Sequence, residues 1–150
     1  MTRISSVYDD MLTELETIFP NKLRIPNVYS LVDNPSTFMR DSYGLRVDAA
    51  ERASREINLF SRIRNFSVVF SREIVTTEIQ TTQTDTAVKA MLDDIYTAQK
   101  EFLGADDFGS SANLDIANVG SFSGIEYFNI DKSNFITSEV AFSIMVSDSY

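Results

Sequence analysis

Cysteine and histidine are both absent from this sequence of 150 residues. Without cysteine, no disulfide can hold the fold and no thiolate is available for nucleophilic chemistry. Without histidine, the most common general acid–base residue and the most common ligand of transition metals are missing. An enzyme built on this chain would have to use Asp, Glu, Lys, Tyr or Ser. We therefore expect a protein that is not an enzyme and that binds no cofactor and no metal.

Long apolar runs are absent as well. No stretch approaches the roughly 20 apolar residues that are needed to span a bilayer, so we expect no membrane partner. Residues 1–10 show no basic region followed by an apolar stretch, so we expect no signal peptide and synthesis in a cytoplasm. Hydrophobic residues make up 43% and charged residues 23%, as in ordinary soluble proteins, and the length predicts one domain, residues 1–150.

Two segments show helical spacing of apolar residues. The first runs to Phe19 before Pro20, with Ser5 or Ser6 as a predicted cap. The second is predicted to start at the cap Thr84 to Thr86 and to end near Leu103, before Gly104. The predicted buried stripe of this second helix consists of Val88, Met91, Leu92, Ile95, Gln99, Phe102 and Leu103.

Lys22 to Pro26 is predicted to be a short extended piece, and four longer segments are predicted to be strands: 43–47, 62–80, 114–130 and 134–147. The second exceeds the usual strand of about 5–6 residues, so we expect its far end to project as an arm or to pair with another chain. Gly120 and Gly124 predict bulges or bends in the third. Residues 48–60 are interpreted as a long connection with some helical tendency. The predicted fold class is α+β, a mostly antiparallel sheet of about four to five strands with two helices packed on one face.

Charge is distributed unevenly along the chain. Residues 1–19 carry net −3, residues 20–72 carry nine basic against five acidic residues, and residues 73–150 carry three against thirteen. The middle segment is therefore +4 and the last −10, within a total of −9. Either this is an ordinary solvated surface, or the subunit is bipolar and its positive middle contacts the negative part of another copy.

The sequence contains only weak indications of a phosphate-binding loop or of a metal site. The glycines form no phosphate-binding loop. Asp106 and Asp107 lie in a polar loop where they could hold a divalent cation, and together with Asp115 they are the basis of an alternative hypothesis, a carboxylate or metal-dependent enzyme. Because this loop lacks the spaced ligands of a calcium site, a solvated turn is the favoured interpretation. The arginines could contact nucleic acid, but a pI near 4.4 argues against that class.

The stretch Tyr43-Gly44-Leu45-Arg46-Val47, a polar connection with Arg55, the segment Ser61 to Glu73 and the closing strand Phe135 to Val146 resemble the tail terminator (tail completion, or neck) proteins of tailed bacteriophages. The resemblance implies a structural virion protein of the tail or neck. It implies a ring, expected to be a hexamer, that caps the tail tube, stops its polymerisation and joins it to the head-side connector. The implied partners are other copies of the chain, the tail-tube protein and the connector protein, with DNA passing through the lumen without specific binding.

The bipolar charge suggests which residues join neighbouring copies in such a ring. The candidate arginines of the interface are Arg46, Arg55 and Arg64, and the candidate acids are Glu78, Asp106 and Asp107. A head-to-tail contact of this kind closes into a ring if the rotation between copies permits. A head–tail connector or a tail-tube subunit is the alternative within the same structural class.

Overall fold

Nine elements follow one another along the chain in the computed structural model, which describes residues 4–30, 40–48, 51–52, 61–74, 81–103, 115–130 and 133–147. They are α1 (Ile4–Ile18), β1 (Leu23–Arg24), β2 (Ser42–Val47), β3 (Glu51–Arg52), β4 (Ser61–Glu73), α2 (Thr81–Leu103), β5 (Asp115–Phe122), β6 (Glu126–Ile130) and β7 (Ser133–Ser147). The fold is α+β, as the sequence predicts.

The strands form one sheet around two long antiparallel neighbours. β4 and β7 pair over thirteen residues, from Ser61 opposite Ser147 to Glu73 opposite Phe135. The order along the sheet is β1-β2-β4-β7-β5, while β3 adds to the start of β4 and β6 adds to the start of β7. All these pairs are antiparallel except β1 with β2. The prediction of a mostly antiparallel sheet is therefore confirmed, with two short strands added to the five of the main order.

Both predicted helices are confirmed, but their starts differ from the prediction. α1 begins at Ile4 and α2 at Thr81, so the predicted caps at Ser5 or Ser6 and at Thr84 to Thr86 lie inside the helices. In α2 the hydroxyl of Thr86 donates to the carbonyl of Thr82, four residues earlier. A threonine hydroxyl can make this bond within a helix, which is why a cap-like residue type does not by itself locate a helix start.

Both helices pack on one side of the sheet, which we call the helix face. On β4 this face carries Phe66, Val68 and Phe70, all at most 1% exposed, as their alternation predicts. The side chains that join them in one apolar core are Val7, Met11, Leu15, Phe19, Tyr43, Leu45, Ile74, Ala87, Met91, Ile95, Ala98, Ile136, Val140 and Phe142. The core thus lies between the sheet and the two helices.

The buried stripe of α2 is displaced from its prediction. Met91 and Ile95 are buried as predicted, but Leu92 is 40% exposed, and the small residues Ala87 and Ala98 complete the stripe instead. Alanine allows the helix to approach the core closely, so the contacting face is set by shape as well as by apolar size. The side chains of Phe102 and Leu103 lie outside the described part of the structure.

The opposite side of the sheet, which we call the polar face, is also buried along β4. Ser67, Val69 and Ser71 are 3%, 1% and 2% exposed. The chain after β1 crosses this face: a Cβ placed on Gly44 would lie 2.9 Å from Cγ2 of Val28 and 3.4 Å from Cβ of Ile25. Gly44 therefore allows this segment to lie directly against β2.

The predicted third strand is two strands on one edge of β7. β5 and β6 both pair with β7 and are separated by residues 123–125, where Gly124 has φ 93°. A second irregularity shifts the register between Val119 and Phe122, around Gly120. The predicted bends at both glycines are confirmed, and the φ of Gly124 lies in the region that glycine adopts at little cost.

Three predictions fall wholly or partly outside the described residues. The connection 48–60 is described only at Asp48 and in β3, and β3 is a strand where the sequence suggested helical tendency. The predicted arm after Ile74 and the polar loop that contains Asp106 and Asp107 lie outside the described ranges.

Candidate functional site

Arg46 is the centre of an ion-pair network on the polar face. Its Nη1 and Nη2 atoms lie 2.7 and 2.8 Å from the two carboxylate oxygens of Glu139, and its Nε lies 2.8 Å from Oδ1 of Asp48. Ser67 donates to the other oxygen of Asp48 at 2.5 Å. One guanidinium is thus held by two carboxylates, and its paired contact with Glu139 is the bidentate geometry that favours arginine over lysine.

Small residues on β4 and β7 leave room for the side chain of Arg46 to reach Glu139. Arg46 is in register with Ser67, and Ser67 is in register with Ala141. Glu139 lies two residues before Ala141 on β7, opposite Val69. An arginine on β2 can therefore extend across β4 to reach β7, because no large side chain stands directly in its row.

The network changes the acid–base behaviour of Arg46. The side-chain hydrogen bond to Glu139 is the main reason why the pKa of Arg46 is raised above its usual range. Partial burial opposes this effect, and the contacts with Asp48 add to it. The guanidinium is therefore a permanent cation here, and three side chains are fixed by charge-assisted hydrogen bonds.

A cavity of about 420 Å³ opens beside this network on the polar face. Tyr29, which is 66% exposed, and Phe128 provide aromatic walls. Glu126 is an exposed carboxylate, and Glu139 contributes a second one. The other lining residues are Val28, Ser30, Arg46, Val69, Ser123, Thr137 and Ser138. Glu126, Glu139 and the adjoining Asp48 carry three negative charges against the single guanidinium of Arg46, so these four side chains together have a formal charge of −2.

A second charged cluster joins α2 to the sheet. Lys22 forms ion pairs with Asp41 and with Asp94, the latter at 2.8 Å, and Arg72 contacts the same two carboxylates at 2.8 and 3.3 Å. The side chain of Lys22 is only 7% exposed. Two cations and two anions balance one another, so this cluster carries no net charge and has a structural role.

The structure describes only some of the six residues that the sequence predicted at an interface between copies. Arg46 is described, and its ion pairs are with Asp48 and Glu139 of its own chain. Arg64 lies in β4 opposite Ile144, and its side chain is outside the described set. The remaining four, whose placement is not described, are Arg55, Glu78, Asp106 and Asp107. A contact of any of the six with a neighbouring copy stays a prediction.

Ion pairs with acids of the same chain neutralise part of the positive charge of residues 20–72. Within the part of this segment whose side chains are described, four basic residues form ion pairs inside the chain: Lys22, Arg40, Arg46 and Arg72. Arg40 does so through Nε, 2.5 Å from Glu73. The acids of the C-terminal half that take part are Glu73, Asp94 and Glu139. Part of the charge asymmetry is therefore satisfied between segments of one subunit.

Sequence reasoning did not find the acids that hold Arg46. Glu139 is 93 residues away from it along the chain, so no local pattern connects the two. Asp48 follows Arg46 after one residue, and two residues at this spacing share a face of a strand, which is a signal that the sequence did contain. The contacts of Asp94 with Lys22 and Arg72 depend on the packing of α2 against the sheet, so no local pattern connects these residues either.

Within the described ranges, no three acidic side chains are placed so that they could hold a metal ion. Among the same residues, neither helix is long and apolar enough to cross a membrane. No protein-family model matches the sequence, and the comparison with curated proteins found no match.

Proposed function

We propose that this protein is a tail terminator: a structural virion protein that forms a ring on the end of a phage tail tube, stops tube growth and joins the tube to the head-side connector. The observation that carries the proposal is the position of the segments that resemble this family. Residues 43–47, 61–73 and 135–146 form the neighbouring strands β2, β4 and β7 at the centre of one sheet. The resemblance thus concerns one contiguous structural unit, although its motifs are far apart in sequence.

The α+β architecture also supports the proposal. The resemblance implies a sheet with two helices on one face, and α1 and α2 both pack on the helix face. The polar face keeps charged groups and a cavity beside Arg46. A subunit with two different faces is suited to a heterologous contact, in which one surface binds a different surface of the next copy.

Net charge is consistent with the passage of DNA through such a ring. The chain carries −9, and a negative wall repels the phosphates of DNA. The proposed ring therefore lets DNA pass without holding it. The repulsion acts over about one Debye length, roughly 8–10 Å at physiological ionic strength, so it is strongest for groups that line the lumen.

The test is an assembly reaction with purified tail-tube protein, followed by electron microscopy and by native mass spectrometry of the isolated chain. We expect the protein to appear as a closed ring at one end of each tube, and tubes grown in its presence to be shorter and uniformly capped. A hexamer is the expected ring size. Binding of one copy per tube end, or no effect on tube growth, would contradict the proposal.

The same experiment separates the two alternatives within the structural class. A tail-tube subunit would polymerise into tubes by itself, without the added tube protein. A head–tail connector would bind the head-side complex but would leave tube growth unchanged. An albumin sample at equal concentration controls for nonspecific inhibition of tube growth.

A further inference from the structure

We propose that the polar-face cavity binds a small organic amine, whose protonated primary amino group is held by Glu126, Thr137 and Glu139 and whose carbon chain packs beside Tyr29. The site lies within one subunit and does not depend on the proposed ring, because it needs neither a second copy nor a tail tube. All the side chains that form it belong to the described part of the structure.

Strand register places three oxygen-bearing side chains together in the cavity. Glu126 of β6 lies opposite Thr137 of β7, and Glu139 follows two residues further along β7. Residues in register, and residues two apart on one strand, share a face of the sheet, and all three line the cavity. The Cβ atoms of such neighbours lie about 5–8 Å apart. Two flexible glutamates and one hydroxyl can therefore reach a single small group.

Two of these three side chains have no partner within the described residues. Thr137 is 5% exposed, and its hydroxyl makes no hydrogen bond there. In register with it on β4, the buried hydroxyl of Ser71 is also unpaired. The carboxylate of Glu126 is exposed and takes part in no ion pair or hydrogen bond within the same ranges. Because polar side chains as buried as Thr137 usually have a hydrogen-bond partner, an N–H group of a ligand is favourable here.

The third acceptor, Glu139, is held in position by its own chain. Its two carboxylate oxygens accept hydrogen bonds from Nη1 and Nη2 of Arg46 at 2.7 and 2.8 Å, and each oxygen keeps capacity for a further one. Its backbone N–H donates to Oγ of Ser123 at 3.2 Å, and the N–H of Ser123 donates to its carbonyl at 2.8 Å. Since this acceptor is already ordered, less conformational entropy is lost when a ligand binds.

The charge of the site favours a cation over an anion. The four charged side chains at the cavity have a formal charge of −2. A metal ion is the less suitable cation, because no three acidic side chains within the described ranges are placed to hold one. A primary ammonium group has three N–H donors, which match the three acceptor groups of the cavity. It therefore satisfies both the charge and the hydrogen-bonding capacity of the site.

Tyr29 provides an exposed aromatic surface beside these acceptors. It is 66% exposed, yet the backbone N–H of Val47 donates to its hydroxyl at 3.3 Å, and its own N–H donates to Oδ1 of Asn27 at 3.1 Å. Phe128 is the second aromatic residue of the lining. Aromatic rings attract organic cations and pack against the adjoining carbon chain. The volume of about 420 Å³ lies in the range of small-molecule sites, which favours a free amine over a side chain of a partner protein.

The experiment compares ligands that share one carbon chain and differ in the head group. 2-Phenylethylamine is titrated into the full chain at neutral pH, and binding is followed by protein NMR and by isothermal titration calorimetry. The matched alcohol, 2-phenylethanol, lacks the positive charge, and the matched trimethylammonium compound keeps the charge but lacks N–H donors. Both are expected to bind at least about tenfold more weakly than the amine. The largest shifts of backbone resonances should occur in β6 and in the neighbouring part of β7.

Substitutions test the acceptors one at a time. Glu126→Gln removes a charge but keeps the size of the side chain, and it is expected to weaken binding of 2-phenylethylamine about tenfold. Thr137→Val removes the hydroxyl and should weaken binding several-fold. Glu101→Gln makes the same change of charge at an exposed position of α2 and should bind the amine as the wild type does. If circular dichroism shows that Thr137→Val does not fold, Glu126→Gln still decides, because Glu126 is exposed on a short edge strand.

The possible outcomes are distinct. Binding of the amine that is weakened in Glu126→Gln and kept in Glu101→Gln supports the site. No binding, equal binding of the three ligands, or equal binding by the wild type and Glu126→Gln overturns it. Tighter binding of a lysine capped at both ends than of 2-phenylethylamine assigns the cavity to a partner protein and overturns the free amine. None of these results depends on capping of tail tubes, so failure of this site leaves the proposed ring standing.

Discussion

Between Phe66 and Ser71 of β4, the two faces of the sheet are equally buried, but the helix face carries only apolar side chains there and the polar face carries two serines beside Val69. Along β4, the helix-face residues Phe66 and Phe70 and the polar-face residues Ser67 and Ser71 are all at most 3% exposed. On the helix face, burial removes apolar surface from water, which stabilises by about 25 cal/mol per Å². On the polar face, burial is favourable only where hydroxyls and charges find partners. The buried fraction of a face therefore does not by itself show how much that face contributes to the stability of the fold.

The two faces of the sheet also differ in what they leave open at the surface. The helix face is filled by side chains of α1 and α2 and offers nothing to a partner at its centre. The polar face holds its charges through Arg46 and Glu139 and leaves a cavity next to them. We therefore assign stability mainly to the helix face, whereas the polar face is the one that keeps charged groups beside an open cavity. The predictions below test this division, beginning with the largest expected effect.

Phe66→Ala should lower the free energy of unfolding by about 3–5 kcal/mol, because it leaves a cavity in a core position that is 0% exposed. Its neighbour on the other face, Ser67→Ala, should cost about 1 kcal/mol through loss of the hydrogen bond to Asp48. Urea denaturation of both variants gives the comparison. Equal losses would show that the two faces do not differ in their contribution to stability.

Gly44→Ala should lower the free energy of unfolding by about 1–3 kcal/mol, because the added methyl group would lie 2.9 Å from Cγ2 of Val28. The double variant Gly44→Ala with Val28→Ala should regain part of this loss, since it removes the atom that the methyl group meets. Thermal denaturation measures both. If the double variant is no more stable than Gly44→Ala alone, the chain after β1 does not press on the polar face in this way.

Glu139→Gln should lower the free energy of unfolding by about 1 kcal/mol, because the half-exposed ion pair with Arg46 becomes a neutral hydrogen bond. The difference from wild type should shrink as salt is added, since screening weakens the ion pair that only the wild type has. Glu101→Gln, exposed on α2, is the control and should change stability by less than about 0.5 kcal/mol. A salt-independent difference would argue against an electrostatic origin.

Tyr43→Phe should have the smallest effect, and it should depend on pH. Burial, assisted by the negative charge of Glu16 and opposed by Arg24, raises the pKa of Tyr43. The folded state therefore keeps the proton to higher pH than the unfolded chain, whose tyrosine pKa is about 10. The associated stability is complete below that value and is lost as pH rises through the folded pKa. Denaturation between about pH 9 and pH 12 should show a smaller decline in Tyr43→Phe than in wild type.

Periodicity predicted what local geometry controls. The apolar spacing that ends at Phe19 marks a helix, and the alternation of Phe66, Val68 and Phe70 marks a strand and its core-facing side. The glycines at 120 and 124 marked the bends of the edge strand. Ser67, by contrast, has a polar side chain that favours an exposed position, and only the chain after β1 and the carboxylate of Asp48 explain its burial.

Leu92 and Ala98 show the same limit on the helix side. Both are apolar positions in α2, and the sequence assigned burial by apolar size, so it selected leucine. The contact with the sheet favours the small side chain, and Leu92 remains 40% exposed. Arg46 was singled out as a contact with a neighbouring copy, which stays a prediction, and its partners in the structure are carboxylates of its own chain.

The sequence alone determined the α+β class, the order of the long elements, the bends of the edge strand and the exclusion of histidine and cysteine chemistry. These depend on spacing and on residue types, which are local properties of the chain. The tertiary structure decided which face of α2 is buried, that both faces of β4 are buried, and that Glu139 and Asp48 hold Arg46. Those outcomes depend on residues brought together across 93 positions of chain, and pairing at that distance is set by strand register and by the packing of side chains.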